Sequence, residues 1–125
     1  MHRAEEGALD PGERIIRVGV EHVLLLYDYT DRGDVDGCLS LLDEHVGLRH
    51  PRVPTASGRT RVETVLRERL AGRGLHRVER VRAFGGMLFV TGVFAETAST
   101  RPLPYLDVFT LSEHGLVASW HRIPR

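Results

Sequence analysis

The order of its two hydrophobic periods constrains this chain most: helical spacing dominates the first half and strand-length runs fill the second. Over residues 12–32, Ile16, Val20, Val23, Leu24 and Tyr27 recur at helical spacing, and Gly33 is a natural stop. Asp34 then has the chemistry of an N-cap for a second, shorter helix with Val35, Cys38, Leu39 and Leu42 on its apolar face. Residues 46–50 read as a short strand ended by Pro51, and a loop with Pro54, Ser57 and Gly58 follows. Thr60 and Glu63 stand at capping-box spacing and predict the start of a third helix that buries Val62, Val65, Leu66 and Leu70 before Gly72 and Gly74. Everything after it reads as strand. Residues 75–84 and 87–96 flank the hairpin signal Gly85-Gly86, a polar loop runs through Ser99 and Pro104, and residues 105–111 and 115–123 form a second hairpin around 112–115. Helices first and strands after predict an α+β fold with three N-terminal helices packed into a curved, mostly antiparallel sheet. Such a sheet, curling into a cone-like barrel, would enclose one apolar pocket.

At 125 residues the chain fits one domain, here 14–125, preceded by residues 1–13 as a mobile polar lead-in. Its seventeen basic residues balance seventeen acidic ones, so no net field steers nucleic acid or an acidic membrane toward it. All seventeen are arginine, which a GC-rich coding bias explains more simply than massed phosphate recognition. The one cysteine, Cys38, has no partner for an internal disulfide and lies on an apolar helix face, which suggests a packed thiol in the reducing cytoplasm. The apolar run 23–26 is far too short to span a bilayer. There is no phosphate-binding glycine loop, no Cys-x-x-Cys, no His-Glu-x-x-His and no nucleophile elbow. His45, His50, His76 and His121 lack ligand-type spacing, so neither a metal nor another cofactor is expected.

Two residues invite a chemical reading. His50 ends the first strand, and with an ordinary pKa of about 6.5 a histidine is the natural proton carrier near neutrality. A loop-edge histidine with no role is the plainer alternative. Asp107 sits mid-strand, on the face that alternation assigns to Tyr105, Phe109 and Leu111. An aspartate among aromatic residues is costly unless it is protonated or paired, for example with Arg122 or Arg82. Trp120, Arg122 and Ala118 share a face of the last strand; Trp120 lines the pocket or packs the core, and Arg122 orients a carboxylate or pairs with Asp107. His76 and His121 are weaker candidates, and His22 and His114 are expected to face solvent.

Asp31-Arg32-Gly33-Asp34-Val35-Asp36, then Arg49-His50-Pro51, then Leu106-Asp107-Val108-Phe109 and Glu113-His114-Gly115-Leu116-Val117, occur in an order and spacing that resemble the nuclear transport factor 2-like superfamily, in its ketosteroid isomerase and SnoaL-like polyketide cyclase branch. The resemblance covers residues 16–123 and implies a homodimer formed through the open sheet face. It puts His50 where the isomerases carry the proton-shuttling aspartate, and Asp107 on their second acid, which stays protonated to hydrogen-bond the enolate oxygen. The family's oxyanion tyrosine falls at Leu26, which cannot donate, with Tyr27 one residue away, so steroid isomerisation itself is not expected.

These features point to a cofactor-free isomerase or cyclase that moves protons on a hydrophobic, polyketide-like or polycyclic carbonyl compound. His50 and Asp107 would be catalytic, with Trp120, Arg122, Tyr27 and Phe109 binding substrate. An epoxide hydrolase or epoxide-opening cyclase ranks lower, because such enzymes want two acids and an arginine or asparagine, and only Asp107 and Arg122 answer. A non-catalytic small-molecule-binding or association module is the third reading, since fold never implies activity.

Overall fold

A computed structural model describes residues 10–124. Helix α1 spans Pro11–Arg32, and its first turn is held by a reciprocal capping box. The Glu13 N–H donates to Asp10 Oδ1 at 2.7 Å, and the Asp10 N–H donates to Glu13 Oε1 at 3.3 Å. Residues 11–13, expected to be mobile lead-in, are therefore helical; residues 1–9 of that segment lie outside the described residues. One face of α1 buries Gly19, Val23, Leu26, Tyr27 and Thr30, and Gly33 ends the helix in the left-handed region, with φ of 75°. The Asp34 side chain caps helix α2, Val35–Leu39, as its position predicts.

The third helix, α3 at Arg59–Val65, corrects the predicted start. Its N-cap is Gly58, and no side chain caps it. Thr60 already lies inside the helix, and Glu63 turns forward to pair with Arg67 one turn on. The capping-box spacing thus recurs by chance here and forms at Asp10 instead. A single π-helical turn, Leu66–Leu70, extends α3 toward the sheet.

Six strands make one open sheet: β1 Leu42–Arg49, β2 Ala56–Ser57, β3 Leu75–Phe84, β4 Met87–Ala95, β5 Leu103–Leu111 and β6 Val117–Ile123. Their order is β2-β1-β6-β5-β4-β3, antiparallel except where β1 runs parallel to β6, and β2 and β3 are the free edges. Gly85 and Gly86 both adopt positive φ and close the β3–β4 hairpin. The core lies between α1 and the concave face of the sheet, where Leu88 and Val90 of β4, Tyr105 and Phe109 of β5, and Val117 and Trp120 of β6 are buried. A bulge in β6 interrupts alternation, so the buried residues are Val117 and Trp120 and the predicted sharing of a face with Ala118 fails. His22, expected at the surface, is half-buried and holds the Gly115 carbonyl at 2.8 Å.

Register places the chemistry. Asp107 stands opposite Arg122, and Phe109 opposite Trp120, so all four side chains lie on the concave face. Gly92 of β4 lies opposite Tyr105, and a Cβ there would meet the Arg77 carbonyl and approach the Tyr105 hydroxyl to 2.8 Å. The missing side chain makes room for the Tyr105 ring. Gly92→Ala is expected to destabilise the fold by about 1–3 kcal/mol, read as a lower urea midpoint. An unchanged midpoint would show that the strands spread freely at this position.

Candidate active site

Asp107 is fully buried, and four donors converge on its two oxygens. Arg122 binds it through both arms, Nε to Oδ1 at 2.7 Å and Nη2 to Oδ2 at 2.8 Å. The Tyr27 hydroxyl donates to Oδ2 at 2.6 Å and the Trp120 indole N–H at 3.0 Å. Every partner is a donor, so the carboxylate only accepts. The expectation of a protonated Asp107 that donates to an enolate is therefore corrected: a buried carboxyl opposite an arginine on the neighbouring strand is neutralised by that arginine. Tyr27, on the buried face of α1, reaches the site, while Leu26 beside it packs in the core. Burial first, and then the charge of Asp107, hold the Tyr27 phenol well above its ordinary pKa, so it stays a neutral donor.

Arg122 is the hub. Burial works against its charge, but the hydrogen bonds and charge of Asp107 outweigh this and raise its pKa. Its guanidinium lies over the Tyr105 ring, 4.4 Å from the centroid, and Nη2 also donates to His76 Nε2 at 2.9 Å. His76 is in turn held by Asp31: Nδ1 donates to Oδ1 at 2.6 Å, and the His76 backbone N–H donates to Oδ2 at 2.7 Å. The two partners fix the tautomer, with the proton on Nδ1 and the Nε2 lone pair facing Arg122. Nη1 is the exception to this clamp, with only a long 3.4 Å contact to His50 Nε2.

His50 sits where β1 gives way to the Pro51 turn, half-buried. Its other nitrogen, Nδ1, faces the Arg52 backbone N–H at 3.3 Å. A neutral imidazole accepts at one nitrogen only, and an imidazolium would set both N–H groups against donors. Burial, followed by the Arg122 charge, lowers its pKa to about 4.

His50, His76 and Arg122 form the floor of a cavity of about 1000 Å³. His50, His76, Trp120 and Arg122 line it, with Leu70, Phe94, Leu103 and Tyr105 as apolar wall. Asp107, Tyr27 and Phe109 stand outside this lining, so the expected substrate contacts of Tyr27 and Phe109 become a packed layer behind the wall, with Tyr27 edge-on to Phe109 at 5.9 Å. Sequence reasoning underrated His76 and gave Asp31 no role. Both had a signal: Asp31 lies four residues after Tyr27 on one helix face, and His76 precedes Val78 by two on the inward side of β3. Cys38 is buried as expected, 3.4 Å from the Thr30 hydroxyl, and burial raises its pKa.

A family model described as "SnoaL-like domain" matches residues 23–120. The chain belongs to the SnoaL-like family. Among solved structures, TerC co-crystallised with polyporic acid superposes with a TM-score of 0.72 at 18% identity, covering 86% of this chain and 92% of TerC. A protein of Xanthomonas campestris pv. campestris described as a candidate polyketide cyclase gives 0.63 at 20%, covering 87% and 91%. An M. tuberculosis epoxide hydrolase of the LEH-like type gives 0.67 at 17%, covering 85% and 81%. No curated protein matches the chain. These likenesses establish the nuclear transport factor 2-like, cone-shaped α+β fold of this SnoaL-like domain. Among the described residues, no helix is long and apolar enough to cross a membrane.

Asp107→Ala is expected to cost about 3–5 kcal/mol of stability, because it strands the Arg122 charge in the core. Chemical denaturation measures this, and a loss below about 1 kcal/mol would mean that water reaches Arg122 freely. In a nuclear magnetic resonance titration, His50 should be half-protonated near pH 4, and Arg122→Gln should move that midpoint upward by removing the nearby positive charge.

Proposed function

We propose that this SnoaL-like domain is a cofactor-free isomerase or cyclase that removes a proton beside a carbonyl on a hydrophobic substrate. The observation that carries the reading is the clamped Arg122 guanidinium, whose Nη1 is left beside a neutral His50 on the cavity floor. His50 takes the proton at its unprotonated ring nitrogen, and the C–H electron pair moves to the carbonyl oxygen, which Arg122 Nη1 stabilises as an enolate. The His50 imidazolium then returns the proton at another carbon, giving an isomer. Alternatively the enolate carbon attacks a second carbonyl of the same molecule and closes a ring, and the His50 imidazolium gives its proton to the alkoxide that forms. Asp107, Tyr27 and Trp120 hold Arg122 in place, and Asp31 does so through His76, so the donor needs no reorganisation during the reaction. The oxyanion role expected of Asp107 thus passes to Arg122.

Epoxide opening fits less well. It needs an acid free to activate water or protonate the epoxide, and among the described residues the one lining acid, Glu96, is exposed and paired with Arg52 at 3.2 Å. The buried lone thiol and the balanced charge suit a cytoplasmic protein. We also read the convex sheet face, where Phe89, Val108 and His121 form one row across β4, β5 and β6, as a homodimer surface.

The reaction is tested by deuterium exchange at the carbon beside the carbonyl of aryl β-ketoesters, followed by nuclear magnetic resonance. His50→Ala is expected to slow exchange by about 10²–10⁴-fold and Arg122→Gln by about 10²–10³-fold. Because only neutral His50 accepts a proton, kcat/KM should be flat near neutrality and fall as pH drops through about 4. Exchange that survives both substitutions leaves a ligand-binding module as the better description. Sedimentation of Val108→Arg checks the dimer, which this substitution should dissociate.

A further inference from the structure

The cavity mouth carries a charge imbalance that the neutral chain as a whole does not. Among the described residues, five arginines line the cavity, Arg52, Arg69, Arg73, Arg101 and Arg122, against the single acid Glu96. Two of the five are compensated, Arg122 by Asp107 and Arg52 by Glu96. Arg73 bonds only the Glu68 backbone carbonyl, which leaves its charge intact. Arg69 and Arg101 are exposed and, among the described residues, engaged by no carboxylate. Three uncompensated charges therefore stand around this opening. They come from separate elements: the π-helical turn supplies Arg69, the segment after it Arg73, and the loop between β4 and β5 Arg101. Behind them the wall is apolar and aromatic.

We propose that the substrate is an organic acid whose apolar ring system fills the cavity and whose carboxylate, or an enol of comparable acidity, is held at the mouth by Arg69, Arg73 and Arg101. Convergent guanidinium groups bind a planar anion through charge-assisted, forked hydrogen bonds, and a low-dielectric wall focuses their field on the opening. The bound anion has a second effect. It offsets part of the positive field that Arg122 and Arg52 exert on His50, and so makes His50 a stronger base once substrate is seated. The proposal rests on the cavity being the substrate site but not on the chemistry performed there.

Naphthoate and its uncharged amide, naphthamide, have the same skeleton and separate charge from shape. Their binding is read by calorimetry and by the fluorescence of Trp120, the sole tryptophan, which lines the cavity. Naphthoate is expected to bind at least about tenfold more tightly than naphthamide. Raising ionic strength should narrow the gap by screening the exposed arginines. The double variant Arg69→Gln, Arg101→Gln should remove most of the preference while changing naphthamide binding by less than about twofold, since both residues are exposed and outside the core. Equal affinity for the two probes, or a preference that the double variant leaves intact, overturns the proposal. Neither measurement needs turnover. If His50→Ala leaves proton exchange unaffected while the anion preference stands, the acid–base reading fails and this one holds.

Discussion

The forked pair between Arg122 and Asp107 is the constraint around which the site is built. A carboxylate with no exposed surface is tolerated only if all its lone pairs meet donors, and here the guanidinium, a phenol and an indole supply them. That requirement explains much of the local sequence. Tyr27 must come from α1, Trp120 and Arg122 must alternate on β6, and Tyr105 must lie flat beneath the guanidinium, which needs Gly92 on the next strand. The pair is buried, but one edge of the arginine is not spent. The same clamp that neutralises Arg122 toward the core presents Nη1 toward the cavity.

His50 and His76 illustrate how neighbours divide identical side chains into different roles. His76 is wedged between an acceptor and a donor, Asp31 and Arg122, and works as a strut with a fixed tautomer. His50 meets donors on both nitrogens and resists protonation, which keeps it neutral and available as a base. An acid placed beside His50 instead would raise its pKa and favour the imidazolium. The electrostatics of the cavity thus follow from where Asp31 sits on α1, one helical turn beyond Tyr27.

The SnoaL-like domain has the cone-like shape of its solved neighbours. Leu26 packs in the core, and the neighbouring Tyr27 serves the buried carboxylate. The donor left at the cavity surface is cationic rather than a neutral acid or phenol. Such a donor suits a developing or resident negative charge better than a neutral carbonyl, which agrees with the uncompensated arginines at the mouth.

The sequence by itself determined the α+β class and most element boundaries, but it read the two-residue β2 as loop and put Leu42, which begins β1, on the second helix. Class and boundaries depend on local periodicity, on Gly33 and Asp34, and on the Gly85-Gly86 turn, all set by backbone geometry within a few residues. It also identified Asp107 and Arg122 as a possible pair, because alternation assigns both to inward faces. It did not choose between a protonated and a paired Asp107, because that choice depends on β5–β6 register, which brings residues 107 and 122 opposite each other past a bulge. For the same reason Asp31 and His76 stayed obscure: they lie 45 residues apart and meet only when α1 crosses the end of β3. The local capping spacing at Thr60 misled because Gly58 starts that helix two residues earlier. Only the tertiary structure decided which polar residues face the cavity and which stand behind its wall, since burial and charge compensation are properties of packed neighbours and not of the chain that carries them.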